Sequence, residues 1–265
     1  MKCFEFGKEN KELMVMLHGG GVSYRGALPA AEYMARFYHV VLVSYDGFNP
    51  TEPNTTFRSV DHEAEMLAKY LGENDGGKID ILYGISYGCR VLMAVLARPD
   101  LKITTTIADG MGTREYPNIK SEWGKNLYCF FFTGFFYQMM AKAGPVRKKI
   151  LAKLTGRSLE EADRLLYQKA SWESWKNQDR CLIGTKTDYS LFKKTDMHIW
   201  HGINSSVEKK LAKNMERIKE MGYPFTYKVF TDVGHGGLAG EQIPRFADEV
   251  RSAHAHSLTQ GEAGD

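Results

Sequence analysis

Ile79-Asp80-Ile81-Leu82-Tyr83-Gly84-Ile85-Ser86-Tyr87-Gly88-Cys89-Arg90-Val91-Leu92-Met93 decides how this chain folds. Ile79 to Tyr83 reads as a strand, and from about Ser86 to Arg98 the pattern is helical until Pro99 stops it. Between them stands Gly84-Ile85-Ser86-Tyr87-Gly88, a G-x-S-x-G pentapeptide. A strand that turns at once into a helix forces the turn residue into a strained conformation and lifts its side chain above the sheet. Side chains two positions to either side would collide, so glycine occupies both. The pentapeptide alone would also suit a helix-capping serine. Its place between strand and helix makes Ser86 a candidate nucleophile, with the positive end of the helix dipole aimed at it.

Working outward, strands and helices alternate as in βαβ units with a mainly parallel sheet. Leu13 to Leu17 is a continuous apolar run, as in a strand covered on both faces. Pro29 to Phe37 reads as a helix and His39 to Ser44 as a strand. Val60, Ala64, Leu67 and Leu71 recur at helical spacing, with Gly72 placed to close that helix. Ile103 to Ala108 is a further strand. After a long gap Met197 to Trp200 and Phe225 to Phe230 read as strands, separated by a helical stripe of Val207, Leu211, Met215 and Ile218. Gln242 to His254 gives a last helix, and the polar tail from Ser257 reads as frayed.

Two glycine-rich loops follow strands. His18-Gly19-Gly20-Gly21 could bring backbone N–H groups close to a developing oxyanion, because glycine permits close approach. The expected donors are the N–H groups of Tyr87 and Gly20, with Gly21 second, and His18 is read as structural. Gly234-His235-Gly236-Gly237 sits between the last strand and the last helix. A histidine there can swing over the sheet edge toward Ser86 and act as its general base. His198 and His201, three apart on a strand, point to opposite faces and make a poor metal pair. His39, His62, His254 and His256 read as surface or core residues.

Taken in order, His-Gly-Gly-Gly, Gly-Ile-Ser-Tyr-Gly and Gly-His-Gly resemble the α/β-hydrolase superfamily over about Leu13 to Val250. The resemblance implies an α/β fold with a mostly parallel eight-stranded sheet flanked by helices and a site at the strands' carboxyl ends. Residues 1–111 and 196–256 would form the core. Residues 112–195, aromatic and without strand rhythm, would form a helical cap inserted after the family's sixth strand, and 257–265 a flexible tail. Within the cap region Ser158-Leu159-Glu160-Glu161 matches a capping box.

The catalytic acid departs from the family's pattern. Where members carry a carboxylate after the seventh strand, this chain reads His201-Gly202-Ile203-Asn204-Ser205-Ser206. Glu208 is nearby, but Ser205-Ser206-Val207-Glu208 suits a capping box. Asp109, in Ala108-Asp109-Gly110 at the end of a strand, is the stronger candidate, although aspartate before glycine is also a common turn. Asp232 is a distant third.

The resulting expectation is a serine hydrolase that cleaves a carboxylic ester or related acyl bond of a small, apolar substrate through an acyl-enzyme. Thioesterase, amidase or peptidase, and carbon–carbon bond hydrolase readings stay open, as does a non-catalytic ligand-binding protein. No metal or organic cofactor is expected. Tyr128 to Met140 reads as a buried helix whose inner face could line an acyl pocket, followed by a basic segment at Lys142, Arg147, Lys148, Lys149 and Lys153.

Composition narrows the classes. The chain is 43% hydrophobic and 25% charged with a formal charge of +3, ordinary for a globular protein. There is no basic stripe interleaved with aromatics, so no nucleic-acid partner is expected. No apolar run suits a secretory h-region or stable membrane insertion. Cys3, Cys89, Cys129 and Cys181 show no Cys-x-x-Cys spacing, which fits a reducing cytoplasm. The oligomeric state is left open.

Overall fold

The computed structural model of the 265-residue chain describes all residues except 113–115, 141–143, 156–157, 161–169, 204–214, 216–217 and 263–265. Seven strands form one sheet: β1 (Lys2–Phe6), β2 (Leu13–Leu17), β3 (His39–Ser44), β4 (Lys78–Ile85), β5 (Lys102–Asp109), β6 (Asp196–Gly202) and β7 (Thr226–Phe230). Their order is β1-β3-β2-β4-β5-β6-β7. β1 runs antiparallel to β3, and every other pair is parallel. The described sheet thus has one strand fewer than the eight implied by the family resemblance, because β1 pairs directly with β3 and ends the sheet on that side.

The connecting helices are α1 (Leu28–Met34), α2 (Val60–Asn74), α3 (Gly88–Leu96), α4 (Glu122–Met140), α5 (Pro145–Thr155), α6 (Trp172–Arg180), α7 (Gly237–Glu241) and α8 (Ile243–Glu262). They cover both faces of the sheet, which explains the unbroken apolar strands. In β2, Leu13, Val15 and Leu17 point into the core shared with α2 and α3, while Met14 and Met16 point into the core shared with α1 and α8. Burying each such side chain contributes about 1.5–3 kcal/mol.

Two helix ends differ from the sequence reading. α2 runs through Gly72 to Asn74, and Gly76 and Gly77, both at positive φ, turn the chain instead. α8 continues past His254 to Glu262, so Ser257 is helical and its hydroxyl is buried. The stripe through Val207 and Leu211 falls outside the described residues, as does most of the segment after Glu160.

α4 also differs from the buried helix expected of Tyr128 to Met140. Its buried edge is Cys129 and Thr133, packed beside α6, whereas Trp123, Phe130, Phe131 and Phe135 face solvent at 63–74% exposure. A groove of about 660 Å³ on that outer side is lined by Ile119, Leu127, Tyr128, Phe131, Phe132 and Phe135. It contains none of the residues singled out for chemistry. Among the described residues no helix is long and apolar enough to cross a membrane.

Candidate active site

β4 ends at Ile85 and α3 begins at Gly88, leaving two residues to reverse the chain. Ser86 bears the strain: its φ is +56°, the sole positive value for a non-glycine residue among those described. Such a conformation costs on the order of 1–3 kcal/mol and persists only where the surroundings enforce it. Here they do. The Ser86 N–H donates to the Asp109 carbonyl at 2.8 Å, and the Ser86 carbonyl accepts from the Cys89 N–H at 3.0 Å.

The flanking glycines are required by close packing. A Cβ at residue 88 would lie 2.6 Å from the Leu17 carbonyl oxygen, and one at residue 84 would lie 3.0 Å from both the Gly88 oxygen and Leu92. The start of α3 therefore abuts the end of β2, which carries the His18–Gly21 loop. That loop lies over the turn: a Cβ at Gly19 would stand 3.6 Å from Ser86 Cβ, and one at Gly20 only 2.8 Å from Tyr87 Cβ. Gly20 and Tyr87, the two expected donors, are in contact. Gly21, at φ +66°, backs onto the ring of Trp175 instead.

His18 is buried and fixed by two hydrogen bonds. Its Nε2 accepts from the Tyr45 N–H at 3.3 Å, so its Nδ1 carries the proton and donates to the Gly19 carbonyl at 2.8 Å. Burial lowers its pKa to about 4 and keeps the ring neutral.

Asp109 ends β5, opposite Ile85 of β4 and Trp200 of β6. It is buried, and its Oδ2 accepts from the Tyr83 hydroxyl at 2.8 Å. The chain then turns through Gly110 at φ +66°. The half-buried imidazole of His235 lies against this glycine, with Cε1 2.4 Å and Nδ1 2.6 Å from where a Cβ would stand. His235 arrives there from the loop after β7, helped by Gly236 in the left-handed conformation. Ser86 thus follows β4, Asp109 ends the neighbouring β5, and His235, from the loop after β7, reaches the glycine next to Asp109.

Asp232, the third candidate acid, does not join them. Asp232 is exposed, and the hydrogen bond it accepts from Arg245 lowers its pKa. Glu208 lies outside the described residues.

Three participants escaped the sequence reading. Tyr83 holds Asp109, and a tyrosine in a buried strand could have signalled a buried partner for its hydroxyl. Trp175 and Gln178 come from α6, which crosses above the glycine loop. Trp175 packs on Gly21 and Phe48, Gln178 Oε1 would lie 2.9 Å from a Cβ at Gly20, and the Tyr87 hydroxyl donates to the Gln178 carbonyl at 2.8 Å. Nothing in their local sequence marked these contacts.

Comparison with known proteins agrees with this architecture. The structure is similar to a putative α/β hydrolase family protein from Desulfitobacterium hafniense, with a TM-score of 0.72 at 18% identity over 95% of this chain and 99% of that one. It is also similar to a thermophilic esterase from Thermogutta terrifontis, with a TM-score of 0.69 at 16% identity over 97% and 93%. MenH from S. aureus gives 0.68 at 16% identity over 97% and 98%. No curated protein matches the sequence significantly. The sequence model of the α/β hydrolase family, however, matches residues 14–249, from β2 into α8. With a strand-to-helix serine turn at the carboxyl edge of a mostly parallel sheet and a family match over most of its length, the chain belongs to the α/β hydrolase family.

Proposed function

We propose that the protein is a serine esterase in which Ser86, His235 and Asp109 form the catalytic triad. The observation that carries this reading is the positive φ of Ser86 beside a buried carboxylate and a histidine from the opposite end of the chain. A strained serine at such a turn has its hydroxyl raised toward solvent, and Ser86 is only partly buried.

In this mechanism His235 takes the Ser86 hydroxyl proton as Oγ bonds to the carbonyl carbon of an ester. The N–H groups of Gly20 and Tyr87 stabilise the oxyanion, and contact between these residues supports pairing them. Collapse expels the alcohol, which leaves with the proton from His235. Water, activated by the same imidazole, then releases the acid. Asp109 orients the ring and offsets its positive charge, with the Tyr83 hydroxyl fixing the carboxylate.

Residues 112–195 act as the cap. The seating of α6 on Gly20 and Gly21 supports this, because it makes the helix a roof over the oxyanion loop. Gln178 is buried, and its Nε2 has no hydrogen-bond partner among the described residues, so it suits a polar atom of a small substrate.

The test is labelling by a fluorophosphonate, followed by turnover of nitrophenyl esters of increasing acyl length. Labelling that disappears in Ser86→Ala, with measurable turnover, is the expected result. A protein that neither labels nor turns over would be a ligand-binding member of the family. Asp109→Asn should lose activity steeply while Glu208→Gln retains it; the reverse pattern would move the acid to Glu208.

A further inference from the structure

We propose that Asp196, His198 and His256 form a binding site for one zinc-class divalent metal ion, at the end of the sheet opposite Ser86. The site joins β6 to α8. Asp196 and His198 are two residues apart on β6, so their side chains share one face. His256 comes down from α8, whose helical course extends beyond His254.

The three donor atoms converge. His198 Nε2 lies 3.0 Å from Asp196 Oδ2, and His256 Nδ1 lies 3.1 Å from the same oxygen. All three donor atoms lie within 4.8 Å of one another. Ligands about 2.0–2.1 Å from a tetrahedral zinc stand roughly 3.3 Å apart, so small movements would admit the ion. His198 is buried and fixed, while the 47% exposed side chain of His256 leaves a path from solvent.

Hydrogen bonding alone accounts poorly for this convergence. Oδ2 also accepts from the Ser257 hydroxyl at 2.7 Å, so three donors crowd one oxygen that offers two lone pairs. A metal taking the place of the two imidazole protons would relieve that crowding, leaving Ser257 as the carboxylate's outer partner. Two nitrogens and one oxygen are a borderline-soft set that suits zinc, and water would complete the coordination.

The site does not belong to the ester chemistry. In the β5–β6 register Asp196 pairs with Thr105, and Trp200 with Asp109. Four residues of strand, roughly 13 Å, separate the two ends. The ion would be structural, pinning the C-terminal helix to an inner strand.

The test uses the full chain without an affinity tag, stripped by EDTA and titrated with zinc against a chromophoric chelator. One zinc per chain is expected, with a thermal midpoint raised by about 5 °C in excess zinc. His256→Ala, on the solvent side, should fold normally, bind zinc at least tenfold more weakly and lose the thermal shift; Asp196→Asn should also weaken binding. The same affinity in His256→Ala as in the parent chain, or no binding by the parent, would overturn the site. His256→Gln repeats the measurement if the alanine variant misfolds.

Discussion

The imidazole of His235 rests against the bare α-carbon of Gly110, with its Nδ1 2.6 Å from the position a Cβ would take. Residue 110 must therefore lack a side chain for the ring to sit where it does. Gly110→Ala should displace the imidazole and lower kcat/KM by about 10²–10⁴, the range general-base catalysis contributes. Alanine at φ +66° also costs stability, so a control is needed. Gly76 has φ +61° and open space around it. Gly76→Ala should lower the thermal midpoint comparably and leave ester hydrolysis unchanged.

Strain at Ser86 predicts opposite effects on stability and activity. Ser86→Gly removes the side chain that makes φ +56° unfavourable. Relief of about 1 kcal/mol would raise the thermal midpoint by roughly 2–4 °C. Ser86→Ala keeps a Cβ and should not show that gain. Both variants should be inactive toward nitrophenyl esters. Calorimetry on the pair separates the backbone effect from loss of the hydroxyl.

Gly20 tests the oxyanion pairing. Its φ is not in the left-handed region, so alanine is acceptable to the backbone there. The added methyl would nevertheless meet Tyr87 Cβ at 2.8 Å and Gln178 Oε1 at 2.9 Å, pushing the loop off the turn. Gly20→Ala should lower kcat by about 10²-fold, the scale of one lost oxyanion donor, with a smaller effect on KM. Loss confined to KM would assign the loop to substrate binding.

His18 makes the fold sensitive to acid. Its pKa falls from 6.5 to about 4 on folding because the buried ring resists charging. Between these values the unfolded chain binds a proton that the native chain does not, so stability falls as pH drops from 6.5 toward 4. The contribution is about 3 kcal/mol, fully present above 6.5. His18→Asn should be less stable at pH 7, having lost its bond to Tyr45. Its thermal midpoint should fall less than the parent's between pH 7 and pH 5, measured by calorimetry at each pH.

The serine turn was legible because its cause is local: Gly84, Ser86 and Gly88 sit where hard-core contacts leave no alternative. β2 and β3 were legible because strands covered on both faces are largely apolar, and β4 and β5 because β-branched and aliphatic residues dominate them despite Asp80 and the threonines at 104–106. β1 was not, since Lys2-Cys3-Phe4-Glu5-Phe6 is a half-buried edge strand of mixed character. The closing position of α2 was misplaced at Gly72 because a glycine in an uncrowded helix is tolerated, and positive φ at Gly76 and Gly77 identifies the turn. Trp175 and Gln178 reach a loop more than 150 residues earlier in the chain. Such contacts are properties of the folded sheet and leave no periodic signature.

The aromatic run in α4 shows how hydrophobicity alone misleads about burial. Trp123, Leu127, Phe130, Phe131 and Phe135 recur at helical spacing and share one exposed face, while Cys129 and Thr133 form the packed edge. Replacing Phe130 and Phe131 by serine removes little native packing, so stability should change by less than about 0.5 kcal/mol per site. Cys129→Asp places a charge where the side chain is fully buried, and its thermal midpoint should drop by several degrees. The paired serine variant should also scatter less light at high protein concentration, because a contiguous exposed apolar patch drives association. If the serine pair destabilises the protein as much as Cys129→Asp, the aromatic stripe is core in solution and α4 must be rotated from the orientation described.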